Sequence, residues 1–438
     1  MPSRKTITAL IFFTFLAVFF ISIILYFGSA FFNSTRTVDV DQAGESRGFN
    51  FFPFGRGGTE TETPFVPVDV SNGNGQNEIE GNISAEIQID RLRQISTTPT
   101  AGGYVYARLE EDDSLFSSVP ETIDVMRFVE SSTGHVFETT GKTELVTRIT
   151  NTTIPRIISA VFLNGERPIL QYIDQASDRK KTFSAQVITP ERNELIDSDD
   201  VTQSSRLSGI FLQDEILDLE TSGDEVVYGV NTDDGFSLRK TDANGNEVVE
   251  VFNSPLSQWH IDTYGPNDVV VTHVPSFNSF GYAETVDLDS RASQKLYSGQ
   301  LAMQIKPNAD GSRSLISYWD GREMSLFILS GDNIIDTGLN TFAEKCVWSS
   351  DNVLAYCAEP LNDIEFGAPD SWYKGIVEYS DDFYQINTDL NVTSLLFSPF
   401  DEGNFSLDAL DIALSANEKY LSFMDKASQT FWTYQLEL

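Results

Sequence analysis

From Ile87 onward, apolar runs of four to eight residues alternate with short stretches of Gly, Asn, Asp and Pro. The runs are rich in Val, Ile, Phe, Tyr and Thr, a composition typical of β-strands. No long segment of this region follows the 3.6-residue period of an amphipathic helix. The pattern therefore predicts a large all-β domain over residues 87–438.

The apolar runs belong to a repeat that is marked by one kind of turn. Small polar residues with Asp, Asn or Gly recur between two apolar runs at Glu110–Ser114, Asn164–Arg167, Ser222–Glu225, Gly265–Asp268, Asn308–Ser312, Ser349–Asn352 and Ser415–Lys419. The central spacings are about 43, 43 and 41 residues, the length of one four-stranded propeller blade. Seven copies predict a seven-bladed β-propeller. Six or eight blades are the alternatives, because the second, third and sixth repeats are long.

The last repeat contains three strands instead of four, over Ala409–Leu414, Tyr420–Met424 and Phe431–Leu436. A candidate for the fourth strand lies at the other end of the domain, since Arg93–Pro99 resembles the outer-strand segment Arg148–Pro155 apart from one inserted residue. We therefore expect residues 92–97 to complete the final blade and remove its open edge.

The N-terminus carries the longest apolar stretch of the chain. Ile7–Phe27 would form a helix of roughly 32 Å, which matches a hydrocarbon core of about 30 Å. Arg4 and Lys5 precede the stretch and acidic residues follow it, so the positive-inside rule places the N-terminus in the cytoplasm. The sequence predicts a single-pass anchor in the cell membrane, with a cleaved signal peptide as the alternative.

Three segments follow from these patterns. Residues 1–35 form the cytoplasmic tip and transmembrane helix, and residues 36–86 form a flexible linker of Gly, Pro and acidic residues. Residues 87–438 form the propeller, which the orientation of the anchor places outside the cytoplasm.

The net charge of the chain excludes one class of binding partner. The chain has 29 Lys and Arg residues against 65 Asp and Glu residues, a net charge of −36. Proteins that bind nucleic acid through phosphate contacts need a basic surface, so nucleic acid is excluded as a partner. The N-terminal helix is the expected contact with the membrane.

The sequence offers little catalytic chemistry. Three His and two Cys residues are not arranged at metal-ligand spacing, and no nucleotide or metalloprotease motif is present. We therefore predict no catalytic residue, no metal and no cofactor, and an enzyme is the less favoured class. The alternative is an extracytoplasmic, glycosidase-like hydrolase that uses two carboxylates about 5–10 Å apart at the mouth of the propeller channel, one of them with a raised pKa.

Cys346 and Cys357 lie at equal distances from the turn centre Asp351-Asn352. Antiparallel pairing across this turn would place the two residues opposite one another, within the range that a disulfide bridges. An extracytoplasmic location permits the oxidation. We therefore predict a Cys346–Cys357 disulfide.

The predicted sixth blade contains an insertion of about 24 residues, Glu359–Asp382, between its second and third strands. In a propeller, this connection opens on the face that also carries residues of the two preceding blades. The aromatic and basic residues expected on that face are Phe366, Trp372, Tyr373 and Lys374 of the insertion, Trp319 and Arg322 of blade five, and Phe277 and Phe280 of blade four. Such side chains dominate binding hot spots. We predict that they bind a protein or glycan of the cell envelope; alternatively, Trp372 and Tyr373 fold inward and fill the blade.

Three segments carry a resemblance to a known group. Arg148–Pro155, Glu344–Ser349 and Ser371–Gly375 resemble recurring segments of uncharacterised membrane-anchored β-propeller proteins of uncultured, small-genome bacteria. More distantly, the repeats are similar to TolB-type and WD-repeat propellers, although the Trp-Asp signature occurs here solely as Trp319-Asp320, in a different strand position. The resemblance implies a shape and a location and carries no catalytic residue.

Overall fold

The computed structural model describes residues 90–110, 121–189, 205–213 and 215–436. The predicted anchor and linker, and most of the turn Glu110–Ser114, lie outside the described residues. Within those ranges, 27 strands and three short helical turns are present. No helix of the described ranges is long and apolar enough to cross a membrane.

The strands form antiparallel sheets in chain order. The first sheet contains β2 (Thr100–Glu110), β3 (Glu121–Glu130), β4 (Val136–Thr140) and β5 (Thr147–Arg148). The second contains β6 (Ile157–Leu163), β7 (Arg167–Ile173), β8 (Lys180–Ile188) and β9 (Arg206–Phe211). The third contains β10 (Asp218–Ser222), β11 (Glu225–Thr232), β12 (Gly235–Asp242) and β13 (Val249–Ser254).

The fourth sheet has seven strands. They are β14 (Trp259–Tyr264), β15 (Asp268–His273), β16 (Phe280–Asp287), β17 (Ser293–Pro307), β18 (Ser314–Trp319), β19 (Met324–Ser330) and β20 (Asn333–Asp336). The long strand β17 pairs through residues 293–301 with β16 and through residues 301–307 with β18. One strand thus serves as the outer strand of one repeat and the inner strand of the next.

Two further sheets end the chain. The fifth contains β21 (Cys346–Trp348), β22 (Leu354–Pro360), β23 (Asp381–Asn387) and β24 (Val392–Phe397), preceded by a 3₁₀ turn over Ala343–Lys345. The sixth contains β25 (Ala409–Leu414), β26 (Tyr420–Asp425), β27 (Thr430–Gln435) and β1 (Leu92–Gln94). The helices are α1 (Asp370–Tyr373) and α2 (Pro399–Gly403).

The innermost strands meet around one cavity. β2 contacts β6, β6 contacts β10, and β10 contacts β14; the 3₁₀ turn contacts both β17 and β25, and β2 contacts β26. Residues from all of these elements line a common cavity of about 450 Å³, the central channel. Antiparallel sheets arranged in this way around a channel form a β-propeller.

Apolar strands form the core because neighbouring sheets pack face to face. Val226–Val230 in β11 is buried throughout, since one face of the strand packs on the second sheet and the other on the fourth. A strand buried on both faces has a continuous apolar run instead of an alternating pattern. The apolar run over residues 226–230 is therefore a middle strand of its sheet, between β10 and β12.

The N-terminal strand closes the ring. β1 pairs with β27 in antiparallel register, with Leu92 opposite Tyr434. The pairing continues past the strand, because the Ile95 N–H donates to the Phe431 carbonyl at 2.8 Å. This confirms the prediction that a segment beginning at Leu92 completes the sheet of the C-terminal strands.

Candidate functional site

The insertion joins β22 to β23 and is anchored by one buried tryptophan. Trp372, in α1, is fully buried and stacks on Phe342 with ring centroids 5.0 Å apart. Its indole N–H donates to Asp408 Oδ2 at 2.8 Å. The indole thus fixes the insertion to the start of the last sheet.

A buried ion network lies beneath Trp372. The fully buried Lys345 ammonium is 2.6 Å from Asp381 Oδ2 and 2.6 Å from Asp408 Oδ1. The same ammonium lies 5.0 Å from the centroid of the Trp372 ring, within cation–π range. Because Asp381 begins β23 and Asp408 precedes β25, the network ties the insertion to the fifth and sixth sheets.

A second attachment joins the insertion to the loop before β16. Asp370 Oδ1 accepts a hydrogen bond from the Ser276 hydroxyl at 3.0 Å, and Asp370 Oδ2 accepts one from the Phe277 N–H at 2.7 Å. Both carboxylate oxygens hold this loop, so the segments that carry Phe277 and Phe366 are held close to each other.

Three aromatic rings meet at this junction, and we call them the aromatic face. Phe277 and Phe366 have centroids 4.3 Å apart, and Trp319 lies 5.3 Å from Phe277 and 5.7 Å from Phe366. All three pairs pack edge to face, a favourable arrangement of aromatic quadrupoles. Phe366 remains 74% exposed, while Phe277 and Trp319 are half-buried beside it. The face thus presents one open ring on a packed aromatic base.

The structure brings together three of the eight residues predicted for binding. Phe280, Arg322 and Lys374 are exposed, but they make no ring contact with the aromatic face among the described residues. Trp372 needs correction, because its full burial leaves no surface for a partner and gives it a supporting role. Tyr373 matches neither alternative in full. It is 41% exposed and so does not fill the blade, and it faces a cavity next to the channel instead of joining the aromatic face.

The channel contains an ionic cluster that the sequence reasoning missed. His260 Nδ1 lies 2.8 Å from Asp218 Oδ2, and His260 Nε2 lies 3.4 Å from Asp262 Oδ2. Lys306 Nζ lies 3.7 Å from Asp262 Oδ1. One imidazole therefore links carboxylates of two neighbouring inner strands, β10 and β14, and Lys306 extends the cluster to β17.

A second cavity of about 380 Å³, the side cavity, shares His260, Asp262, Lys306 and Glu344 with the channel. Its polar end is formed by Glu344 Oε1, which accepts hydrogen bonds from Tyr373 Oη at 2.7 Å and from Gln304 Nε2 at 2.6 Å.

The remaining wall of the side cavity is mostly apolar and includes Val274, Pro275 and Ile305. Thr272 lines it as well; this residue is 3% exposed, and its hydroxyl oxygen has no hydrogen-bond partner among the described residues. The side cavity has the size and the mixed lining of a small-molecule site.

Burial and neighbouring charge separate the pKa values of the channel groups. Burial, together with the nearby negative charges of Asp262 and Asp218, raises the pKa of Glu220 to about 8. Burial opposes the charge of His260, but Asp262 and Asp218 outweigh it, so the pKa of the imidazole is well above its usual value. Lys306 and His260 likewise overcome burial at Asp262 and hold the pKa of that carboxyl well below its usual range. At pH 7 the channel thus contains a neutral Glu220, an ionised Asp262 and a cationic His260.

The pKa values of two more carboxyl groups in these cavities are raised, like that of Glu220. Burial raises the pKa of Glu344, against the hydrogen bond that Tyr373 donates. Desolvation within the channel also raises the pKa of Asp411, against the positive charges of Lys306 and His260.

The sequence contains a regular spacing of polar residues that indicates the channel wall. Asp218, His260 and Gln304 occupy equivalent places on inner strands at intervals of 42 and 44 residues, and each is followed two residues later by another polar side chain. Residues i and i+2 of a strand lie on the same face, so this pattern predicts a polar channel wall. A prediction based on the turns of the repeat alone does not include this polar pattern.

The two cysteines lie opposite one another in the register of β21 and β22. A disulfide joins them, with a Cα–Cα distance of 4.1 Å. No group of three or more His, Cys, Asp or Glu side chains in the described ranges is arranged to hold a metal ion.

No family model matches the chain, and no curated protein is similar to it. Among solved structures, the β-propeller domain of the trilobed protease from Pyrococcus furiosus is similar at 10% identity and a TM-score of 0.44, over 76% of this chain and 98% of that one. TolB from Acinetobacter baumannii is similar at 10% identity and a TM-score of 0.38, over 76% and 79%. The tricorn protease matches at 11% identity and a TM-score of 0.34 over 69% of this chain, which spans 27% of the protease. At these scores, the fold assignment depends on strand order instead.

Proposed function

We propose that the chain is a seven-bladed, membrane-tethered β-propeller of the cell envelope that binds a protein or glycan partner outside the cytoplasm. Dividing the seven-stranded sheet at β17 gives two blades, which together with the other five sheets make seven. The apolar N-terminal stretch and the charges that flank it support the tether and the location.

The observation that carries the binding proposal is the aromatic face. Phe366 is 74% exposed, yet its ring packs on Phe277 and Trp319. An exposed aromatic group on a rigid base loses little entropy on binding and contributes a large contact area. The buried Trp372 and the Asp370 hydrogen bonds provide that rigidity.

The test compares two exposed phenylalanines. Phe366→Ala should weaken binding to membrane-fraction proteins or to an immobilised glycan panel by about thirtyfold or more, a loss that marks a hot spot. Phe400→Ala is the matched control, because Phe400 is 60% exposed and lies outside the aromatic face. Equal losses, or no loss in either variant, would refute the assignment of the face.

The hydrolase alternative is supported by one specific observation. The channel holds a carboxyl group with its pKa raised to about 8, Glu220, near the ionised Asp262. A neutral acid beside a carboxylate is the pair that glycoside hydrolysis uses. Release of nitrophenol from a panel of nitrophenyl glycosides by the wild type, abolished in Glu220→Gln, would favour this alternative over a binding module.

A further inference from the structure

The central channel has more acidic than basic groups among its lining residues. Asp218, Glu220, Asp262, Glu344 and Asp411 face two cations, His260 and Lys306. His260 is paired with Asp218 and Asp262, and Lys306 is paired with Asp262. These four groups balance one another, which leaves three carboxyl groups without a cation of their own.

Those three groups are Glu220, Glu344 and Asp411. Glu344 accepts hydrogen bonds from the neutral donors Tyr373 and Gln304. The side-chain carboxyl groups of Glu220 and Asp411 have no hydrogen bond or ion pair among the described residues, although His260 and Lys306 are close enough to lower the pKa of both. Partial desolvation of such groups in the channel is unfavourable without a counter-charge, and this desolvation raises the pKa of each. A cation placed among them would relieve this cost.

The side cavity indicates what kind of cation would fit. Its polar end contains Glu344 and Asp262 beside the cations His260 and Lys306, while Val274, Pro275 and Ile305 provide an apolar wall of suitable size for a short alkyl chain. The buried Thr272 hydroxyl lines the same cavity without a partner among the described residues. An unpartnered buried hydroxyl is costly, and a ligand N–H group would satisfy it.

From this arrangement we infer that the channel and side cavity bind an aliphatic amine, with the ammonium group among Glu220, Glu344 and Asp411 and the alkyl chain on the apolar wall. This site is separate from the aromatic face, so its existence does not depend on the partner bound there. A free diamine and a lysine side chain of a partner share the required chemistry.

Calorimetric titration of the whole protein with cadaverine (1,5-diaminopentane) tests the inference, in 0.15 M salt so that exposed charges are screened. Saturable binding is expected, and 1,5-pentanediol, which has the same chain and no charge, should not bind. A short peptide with one central lysine, capped at both ends, distinguishes the two sources: tighter binding than cadaverine indicates a lysine side chain, and weaker binding indicates a free amine.

Variants distinguish cadaverine binding in the channel from cadaverine binding to the acidic surface. The double variant Glu220→Gln/Glu344→Gln keeps the shape of both side chains and one accepting oxygen in each, and it should weaken cadaverine binding by about tenfold or more. Asp332→Asn removes one exposed carboxylate elsewhere and should leave binding unchanged. Matching melting curves would establish that all variants are folded. Equal binding by the wild type and the double variant, or no saturable binding by the wild type, overturns the inference.

The pH profile gives a readout that a shape effect would not produce. Glu220 is faced by Asp218, Asp262, His260 and Lys306, and its pKa is about 8. Alkylamines remain protonated well above this value. Cadaverine affinity should therefore rise between pH 6 and pH 8 as Glu220 ionises, and the rise should be smaller in Glu220→Gln. An identical profile in the two proteins would show that Glu220 does not contact the cation.

Discussion

Lys345→Met removes a buried positive charge from between two buried carboxylates. The ammonium lies 2.6 Å from oxygens of both Asp381 and Asp408, and the side chains of all three residues are at most 1% exposed. Met has a similar length and fills the space, so the main effect is the loss of charge, not a cavity. The two carboxylates retain hydrogen bonds from the Ala409 N–H and the Trp372 indole.

Removing one partner of a buried ion pair typically costs about 3–5 kcal/mol, because the remaining charge stays buried and uncompensated. Native domains are stable by about 5–15 kcal/mol, so the change would be a large fraction of the total. With a urea dependence near 3 kcal/mol per M, the unfolding midpoint should fall by about 1 M or more.

Equilibrium urea unfolding, followed by tryptophan fluorescence, measures the effect. Lys374→Met is the matched control, since Lys374 is exposed at the end of α1, the helix that contains Trp372, and its loss should stay within about 0.5 kcal/mol. The triple variant Lys345→Met/Asp381→Asn/Asp408→Asn should recover part of the loss, because it leaves no uncompensated charge. A cost below about 1 kcal/mol for Lys345→Met, or a triple variant no more stable than the single one, would refute the reasoning.

Three further predictions concern the channel, the disulfide and the ring closure. The folded-state pKa of Glu220 is raised from 4.5 to about 8, so its contribution to stability is complete below pH 4.5 and is lost as the pH rises through 8. The variant Glu220→Gln should therefore have a higher melting temperature than the wild type at pH 9 but not at pH 4. Equal differences at both pH values would contradict this. Thiol labelling of the denatured, unreduced protein should detect no free Cys346 or Cys357, and reduction should cost about 3 kcal/mol by the chain-entropy model; two labelled thiols would contradict the disulfide. Leu92→Ala should cost about 2–3 kcal/mol in urea unfolding, because Leu92 is 6% exposed and packs in the closing sheet; a change within 0.5 kcal/mol would mean that β1 contributes little to closure.

The sequence predicted the strands and the closing pair well, because both depend on local patterns. The run Tyr420–Met424 is nearly the observed β26, and the likeness of Arg93–Pro99 to an outer-strand segment located β1. Strand β17 could not be predicted as one element, because a glycine such as Gly299 is depleted in strand interiors and usually indicates a bend or a bulge. The outer strand continues directly into the next inner strand there, with Gly299 and Ala302 at positive φ.

The site was predicted less completely, because side-chain burial depends on contacts between distant segments. Trp372 and Tyr373 are adjacent in the sequence, yet the first is fully buried and the second is 41% exposed. The difference arises from Asp408 and Phe342, which hold the indole from other parts of the chain. No pattern within the insertion contains that information.

The measurement that tests the central claim most directly is site-specific photo-crosslinking of the full chain in intact cells that express it. A benzophenone amino acid would replace Phe366 in one variant and Phe400 in another, since both positions are exposed and tolerate a larger ring. We predict a discrete cross-linked protein or glycan adduct from position 366 and none from position 400. The same adducts from both positions, or none from position 366, would contradict the proposal that the aromatic face is the binding surface.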